Sequence, residues 1–200
     1  MRLCILVTNT LNLSIVQTDQ ELIQYLRNGE LNAGGLLYSR YKVMIFSFCY
    51  RMLNDKDSAN DATQETFLKM ISCIQSLNSN IAFKSWLFSI ARNEVLMVVR
   101  RKKTIAMEMY EEEETLIWND STPLTITSQC ELHSILMNAV DCLKPLYRET
   151  IILRDVEGLT YDEIAQTTGT TVSAVKSKLF KARLVLNEKL TPYFEERKKK

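Results

Sequence analysis

Apolar residues recur along much of this chain at spacings of three and four, and the long apolar-periodic runs lack the alternation of a strand. That pattern predicts helices that each bury one face. The first run follows Thr18: Asp19 and Glu21 stand in the opening turn, and Leu22, Ile23, Tyr25 and Leu26 supply the apolar face. The stretch NGELNAGG then interrupts. From Leu36 to Leu53, LLYSRYKVMIFSFCYRML is dense in aromatic and aliphatic side chains and predicts a core helix. NDKDSAN marks a turn, and a third helix follows over 58–77. LNSNIA is the next loop, and a fourth helix is expected over 83–102, with Trp86, Leu87, Ile90, Ala91 and Val98 toward a core.

The pattern fails over 104–127, where Glu111, Glu112, Glu113 and Glu114 stand in a row and repel one another. We read this stretch as an acidic linker or a weak helix rather than a core element. Periodicity returns beyond it, with helices expected at 129–142, 145–155, 161–168 and 172–190. The chain therefore divides into an extension of unassigned role (1–17), a helical unit (18–103), the linker (104–127), a second helical unit (128–190) and a charged tail (191–200). The expected fold class is all-α, two small helical domains joined by an acidic linker.

The second unit ends in a hairpin that carries chemistry. Thr160 with Glu163 three residues on forms a capping-box pattern, Gly169 fits a sharp reversal, and Thr171 can cap the next helix. On that helix Val172, Val175, Leu179, Ala182 and Leu186 make one apolar stripe. An advance of about 100° per residue puts Ser173, Ser177 and Lys181 on the opposite side, with Ala174 nearby and Lys176 and Lys178 flanking. Small polar residues that can approach base edges, beside cations that can reach phosphates, suit a helix lying in a major groove. The hairpin is thus predicted to be a helix-turn-helix.

Charge sharpens the picture. The net charge of +1 conceals a separation: residues 84–103 carry +5 and residues 108–120 carry −6. Five scattered cysteines and one histidine give no zinc-type spacing; Cys130 and His133 stand three apart without further ligands. No nucleophile constellation or phosphate-cradling glycine loop is evident, so no enzyme activity, metal or cofactor is expected. No stretch approaches the roughly 20 apolar residues of a membrane span.

LRDVEGLTYDEIAQTTGTTVSAVKSKLFKARLVLNEKL, from Leu153 to Leu190, resembles region four of the sigma-seventy family of RNA polymerase sigma factors, in particular its small group four, the extracytoplasmic-function type. The resemblance implies contact with the minus-35 promoter element through Thr171, Ser173, Ala174, Lys176, Ser177, Lys178 and Lys181. NDKDSANDATQETFLKM, Asn54 to Met70, is similar to family region two. There Asp61, Gln64, Glu65 and Phe67 fall in the pattern that binds core polymerase, chiefly the beta-prime clamp, with the beta flap as a further contact of the family. FKSWLFSIARNEVLMVVRRKK, Phe83 to Lys103, looks like the stretch that recognises and melts the minus-10 element. By that resemblance Asn78, Ser79 and Asn80 line the pocket for a flipped base, and Lys84, Arg92, Arg100, Arg101 and Lys102 hold the phosphate path.

Two departures from the family stand out. Met97 occupies a position that is commonly acidic, and Gly34 and Gly35 replace a charged and a bulky aromatic residue, which predicts altered packing there. The resemblance implies a cytoplasmic transcription initiation factor that binds core polymerase and promoter DNA. It also implies an anti-sigma partner, able in this group to hold the chain near a membrane. Read from the residues without the family, the same units fit a DNA-binding regulator outside polymerase, or a sigma-like module kept for protein interaction. Association with core polymerase and specific start sites separate these readings.

Overall fold

The computed structural model describes residues 17–78, 82–109 and 128–198. The extension before Gln17, Ser79 and Asn80, and the Glu111–Glu114 run lie outside the described residues. Every described element is helical. Helix α1 (Asp19–Arg27) opens on a capping box: the Thr18 hydroxyl accepts from the Glu21 amide at 3.3 Å, and the Glu21 carboxylate accepts from the Thr18 amide at 2.7 Å. Leu22, Ile23 and Leu26 are buried, while Tyr25 turns outward.

Helix α2 (Leu31–Leu53) starts earlier than the pattern predicted and runs straight through Gly34 and Gly35. The reason is the neighbouring helix. A Cβ on Gly34 would sit 3.3 Å from Leu26 Cδ1, so the missing side chain lets α1 close on α2. The helix penalty of about 1 kcal/mol for glycine is offset by that approach. Asn54, in the left-handed conformation at φ 50°, ends α2.

Helix α3 (Lys56–Cys73) passes into a 3-10 turn (Ile74–Ser76). The Arg27 guanidinium donates to the carbonyls of Ile74 (3.2 Å) and Leu77, which ties the end of α1 to this turn. Helix α4 (Phe83–Met109) extends beyond the predicted limit, so the first residues assigned to the linker are helical. The sequence TIAMEM contains strong helix formers, and the glutamate run begins only after it. Leu37, Ile45, Phe48, Met70, Leu87 and Phe88 fill the first core, with Phe48 and Phe88 edge to face at 5.5 Å.

The second unit comprises α5 (Ser128–Asp141), α6 (Pro145–Ile151), a π-helical turn (Ile152–Val156), α7 (Tyr161–Thr168) and α8 (Val172–Lys198). Pro145 takes the first turn of α6, where its missing N–H costs nothing. Helix α8 continues into the segment read as a separate tail. The two units, read from the sequence as joined by the linker, also touch directly. Helix α7 packs on α4, and α6 lies near the end of α2, where Arg148 donates to the Arg51 carbonyl.

Candidate nucleic-acid and protein interfaces

The hairpin of the second unit forms as its sequence requires. Thr160 accepts from the Glu163 amide at 3.2 Å and Glu163 accepts from the Thr160 amide at 2.7 Å, closing the capping box. Gly169 ends α7 at φ 63°, which a side chain would strain. The Thr171 hydroxyl then accepts from the Ala174 amide at 3.2 Å and starts α8. Val175, Leu179 and Ala182 are buried, with Val172 and Leu186 partly so. Burying Val175 and Leu179 contributes roughly 1.5–3 kcal/mol each, enough to fix which side of α8 faces out.

That outer side holds Ser173, Ser177 and Lys181, all exposed. Thr171 and Lys176 are exposed as well, and Ala174 is half-buried. Lys176 stands 5.8 Å from the Tyr161 ring centroid, and Arg154 stacks on the same ring at 4.7 Å, so both cations are oriented by one aromatic. Lys178 is half-buried, and its charge acts on Glu149 of α6 within the same unit.

The π-helical turn brings Asp155 over α8, where it accepts from Arg183 at 2.7 and 3.4 Å. That bond raises the Arg183 pKa. Phe180 is 71% exposed and Leu184 51%. Both project from the same outer face as Ser173 and Ser177, and the sequence reading passed over them although the same angular arithmetic places them there.

On the first unit, Asp61, Gln64 and Glu65 form an exposed row along α3. Phe67 does not join it. It is 5% exposed and packs edge to face on Tyr38 at 4.8 Å, because its position points back toward α2. The apolar part of this surface is instead Leu68, 60% exposed, and Ile71. Asp61 and Glu65 also border a groove of about 440 Å³ between α3 and α4, shared with Lys69, Glu94, Met97 and Arg101. At its floor the buried Glu94 accepts from Lys69 at 2.6 Å.

The residues assigned to the minus-10 element have unequal settings. Asn78 is exposed, and Ser79 and Asn80 lie outside the described residues. Arg100, Arg101 and Lys102 are exposed on α4, with Lys102 bonded to Asp55 at 3.2 Å. Hydrogen bonds from Ser58 and then Lys102 lower the Asp55 pKa. Lys84 and Arg92 are not open. Lys84 donates to the backbone carbonyl of Glu157, and Arg92 Nε donates to Glu149 Oε1 at 2.6 Å. Trp86 packs against the core and lies 5.9 Å from the Phe83 ring.

Among the described residues no group of three or more His, Cys, Asp or Glu side chains could hold a metal ion. No described helix is long and apolar enough to cross a membrane.

Comparison with known proteins places the chain in a family. The family model Sigma-70 region 2 matches residues 37–105, and Sigma-70, region 4 matches residues 133–186. An ECF RNA polymerase sigma-E factor of Salmonella typhimurium is 30% identical over 183 residues, covering 88% of this chain and 95% of its own. The ECF RNA polymerase sigma factor SigE of Mycolicibacterium smegmatis is 32% identical over 153 residues, which is 76% of this chain and 59% of that protein. Two solved structures share the fold. The Bartonella quintana sigma factor RpoE, solved with the anti-sigma factor NepR, matches with TM-score 0.62 and 24% identity over 77% of this chain and 94% of its own. CnrH, solved with the cytosolic domain of CnrY, matches with TM-score 0.65 and 20% identity over 87% of this chain and 97% of its own.

Proposed function

The chain belongs to the ECF group of the sigma-70 family of RNA polymerase sigma factors, and from that premise we propose that it is a promoter-selecting initiation subunit of bacterial RNA polymerase. Synthesis is the work of the core enzyme. This chain contributes two recognition surfaces and no catalytic chemistry of its own.

Asp61, Gln64 and Glu65 dock on the beta-prime clamp, with Leu68 and Ile71 supplying the apolar contact that carboxylates alone would lack. Arg100, Arg101 and Lys102, together with Lys84 and Arg92 once uncovered, track the phosphates of the minus-10 segment. Asn78 and the two residues after it border the flipped base. Helix α8 lies in the major groove at the minus-35 element. There Ser173, Ser177 and Phe180 approach base edges, and Lys176 and Lys181 approach phosphates. The beta flap is the second unit's contact with the core enzyme. An anti-sigma protein is the expected inhibitory partner, and the chain works in the cytoplasm, near the membrane when such a partner is anchored there.

Two surfaces on one chain impose a spacing test. Elements named for positions 35 and 10 lie about 25 base pairs apart, or roughly 85 Å. Residues 110–127 are 18 in sequence, a length that reaches at most about 60 Å, and the units themselves cover the rest. Joint binding is favourable only when that reach matches the promoter.

The observation that carries this reading is the pairing of an exposed acidic and apolar row on α3 with an open serine and lysine face on α8, in the order of family regions two and four. Reconstitution with core polymerase on a promoter library tests it. Start sites that depend on this chain are expected; association with polymerase but no specific starts would overturn the reading.

A further inference from the structure

We propose that residues 3–16 of this chain cover the outer face of α2, so that the extension is a fitted part of the first unit. This cover is independent of the functional reading above.

A helix side turned to water normally carries charge. Between Arg40 and Arg51 the outer side of α2 carries none. Val43, Phe46, Ser47 and Tyr50 fall within about 100° of one another around the helix. Val43 is 68% exposed and Tyr50 44%. Phe46 is half-buried and stacks on Tyr50, with ring centroids 6.1 Å apart and planes 15° from parallel. The one charged residue in this stretch, Lys42, stands instead over the Tyr38 ring at 5.7 Å.

The path of the chain leads to this strip. Helices α1 and α2 run antiparallel, since Asp19 bonds to Arg40 and Tyr41 while Leu26 lies against Gly34. The chain that enters α1 therefore arrives from the side of the later residues of α2. Its last link before α1 is fixed there, because Arg40 donates to the Gln17 carbonyl at 2.8 Å. Arg40 lies within about 80° of Val43, Ser47 and Tyr50 around α2, and Tyr50 is about 15 Å further along it. Residues 11–16, fully extended, reach about 20 Å, so they alone are long enough. Gln17 Oε1 is buried and has no hydrogen-bond partner. A buried acceptor left unpaired is rare, and a backbone N–H of the covering segment supplies the missing donor.

The composition of the extension fits such a surface. Residues 3–16 hold no charge, and eight of the 14 are Leu, Ile or Val. Leu11, Leu13 and Ile15 alternate with Asn12 and Ser14, which in an extended chain turns one apolar side to the strip and one polar side to water. A solvated tail has the opposite composition. An uncharged segment on an uncharged strip also leaves no ion to desolvate.

The full chain tests this through Val43→Cys and Tyr50→Cys, each labelled with a water-soluble maleimide. Cys4, Cys73, Cys130 and Cys142 are replaced by serine. Cys49 stays as a reporter of lost fold, since it is fully buried and burial pushes its thiol up to about 12. Leu11→Asp with Leu13→Asp should speed labelling at both strip positions by about tenfold or more, as release of a locally protecting segment does. Asp57→Cys, an exposed position on α3, should label at one rate in both backgrounds. Equal rates at the strip positions with and without the aspartates overturn the proposal.

Benzoylphenylalanine in place of Tyr50 gives a second reading that needs no change in the extension, and it decides the matter if Cys49 reacts in the aspartate variant. Photolysis should join it to residues 3–16 of the same chain. Cross-links to a second copy, to core polymerase alone, or to no segment at all overturn the proposal, whatever the promoter experiments show.

Discussion

Two helix faces in this chain carry the same kind of chemistry, cations beside small polar groups, and the fold treats them oppositely. On α8, Ser173, Ser177 and Lys181 stand open to solvent because Val175, Leu179 and Ala182 anchor the other side. On α4, Lys84 and Arg92 are spent on Glu157 and Glu149 of the neighbouring unit. The difference teaches that a basic helix face is a site only if nothing nearer than DNA supplies acceptors. Local pattern determines which side of a helix is polar. Tertiary packing determines whether that side is available.

The comparison breaks most completely if the anchor of α8 is removed. Val175→Asp places a carboxylate at a fully buried position, which should cost on the order of 4 kcal/mol. Denaturant titration should show that loss, and binding of the minus-35 duplex should vanish with it. A smaller change sharpens the contrast. Phe180→Ala removes an exposed ring, so stability should move by less than about 0.5 kcal/mol. Affinity for the specific duplex should nevertheless fall by about 1–3 kcal/mol through lost contact in the groove, with nonspecific DNA hardly affected. The smallest effect belongs to Lys181→Ala. Losing one phosphate contact should weaken all sequences nearly equally and lower the slope of log affinity against log salt by about 0.9.

Much of this was legible because it is local. Thr18 with Glu21, and Thr160 with Glu163, announce two helix starts within four residues each, and both capping boxes form. The stripe through Val175, Leu179 and Ala182 announces the buried side of α8. Gly34 and Gly35 misled for the opposite reason. They read as a break, but the continuation of α2 depends on Leu26, a residue on another helix that needs the space. Phe67 looked like part of a docking row until Tyr38 took its ring. Glu149 gave no signal at all: its partner Arg92 is 57 residues away in sequence, and nothing in either neighbourhood names the other. Phe180 was legible and passed over: the angular arithmetic that puts Ser173 and Ser177 on the outer face puts it there too.

The measurement that tests the account most directly is the distance between the two units in the free and the engaged chain. Spin labels at Asn93→Cys on α4 and Glu188→Cys on α8, both exposed positions, report it by pulsed dipolar spectroscopy in a background without the native cysteines. The free chain should give a single separation below about 40 Å, as three packed helices require. The initiating complex with core polymerase and promoter should give one beyond about 60 Å, toward the spacing of the two elements. The same short separation in a complex that starts transcription would contradict both the uncovering of Lys84 and Arg92 and the division of promoter recognition between the two units.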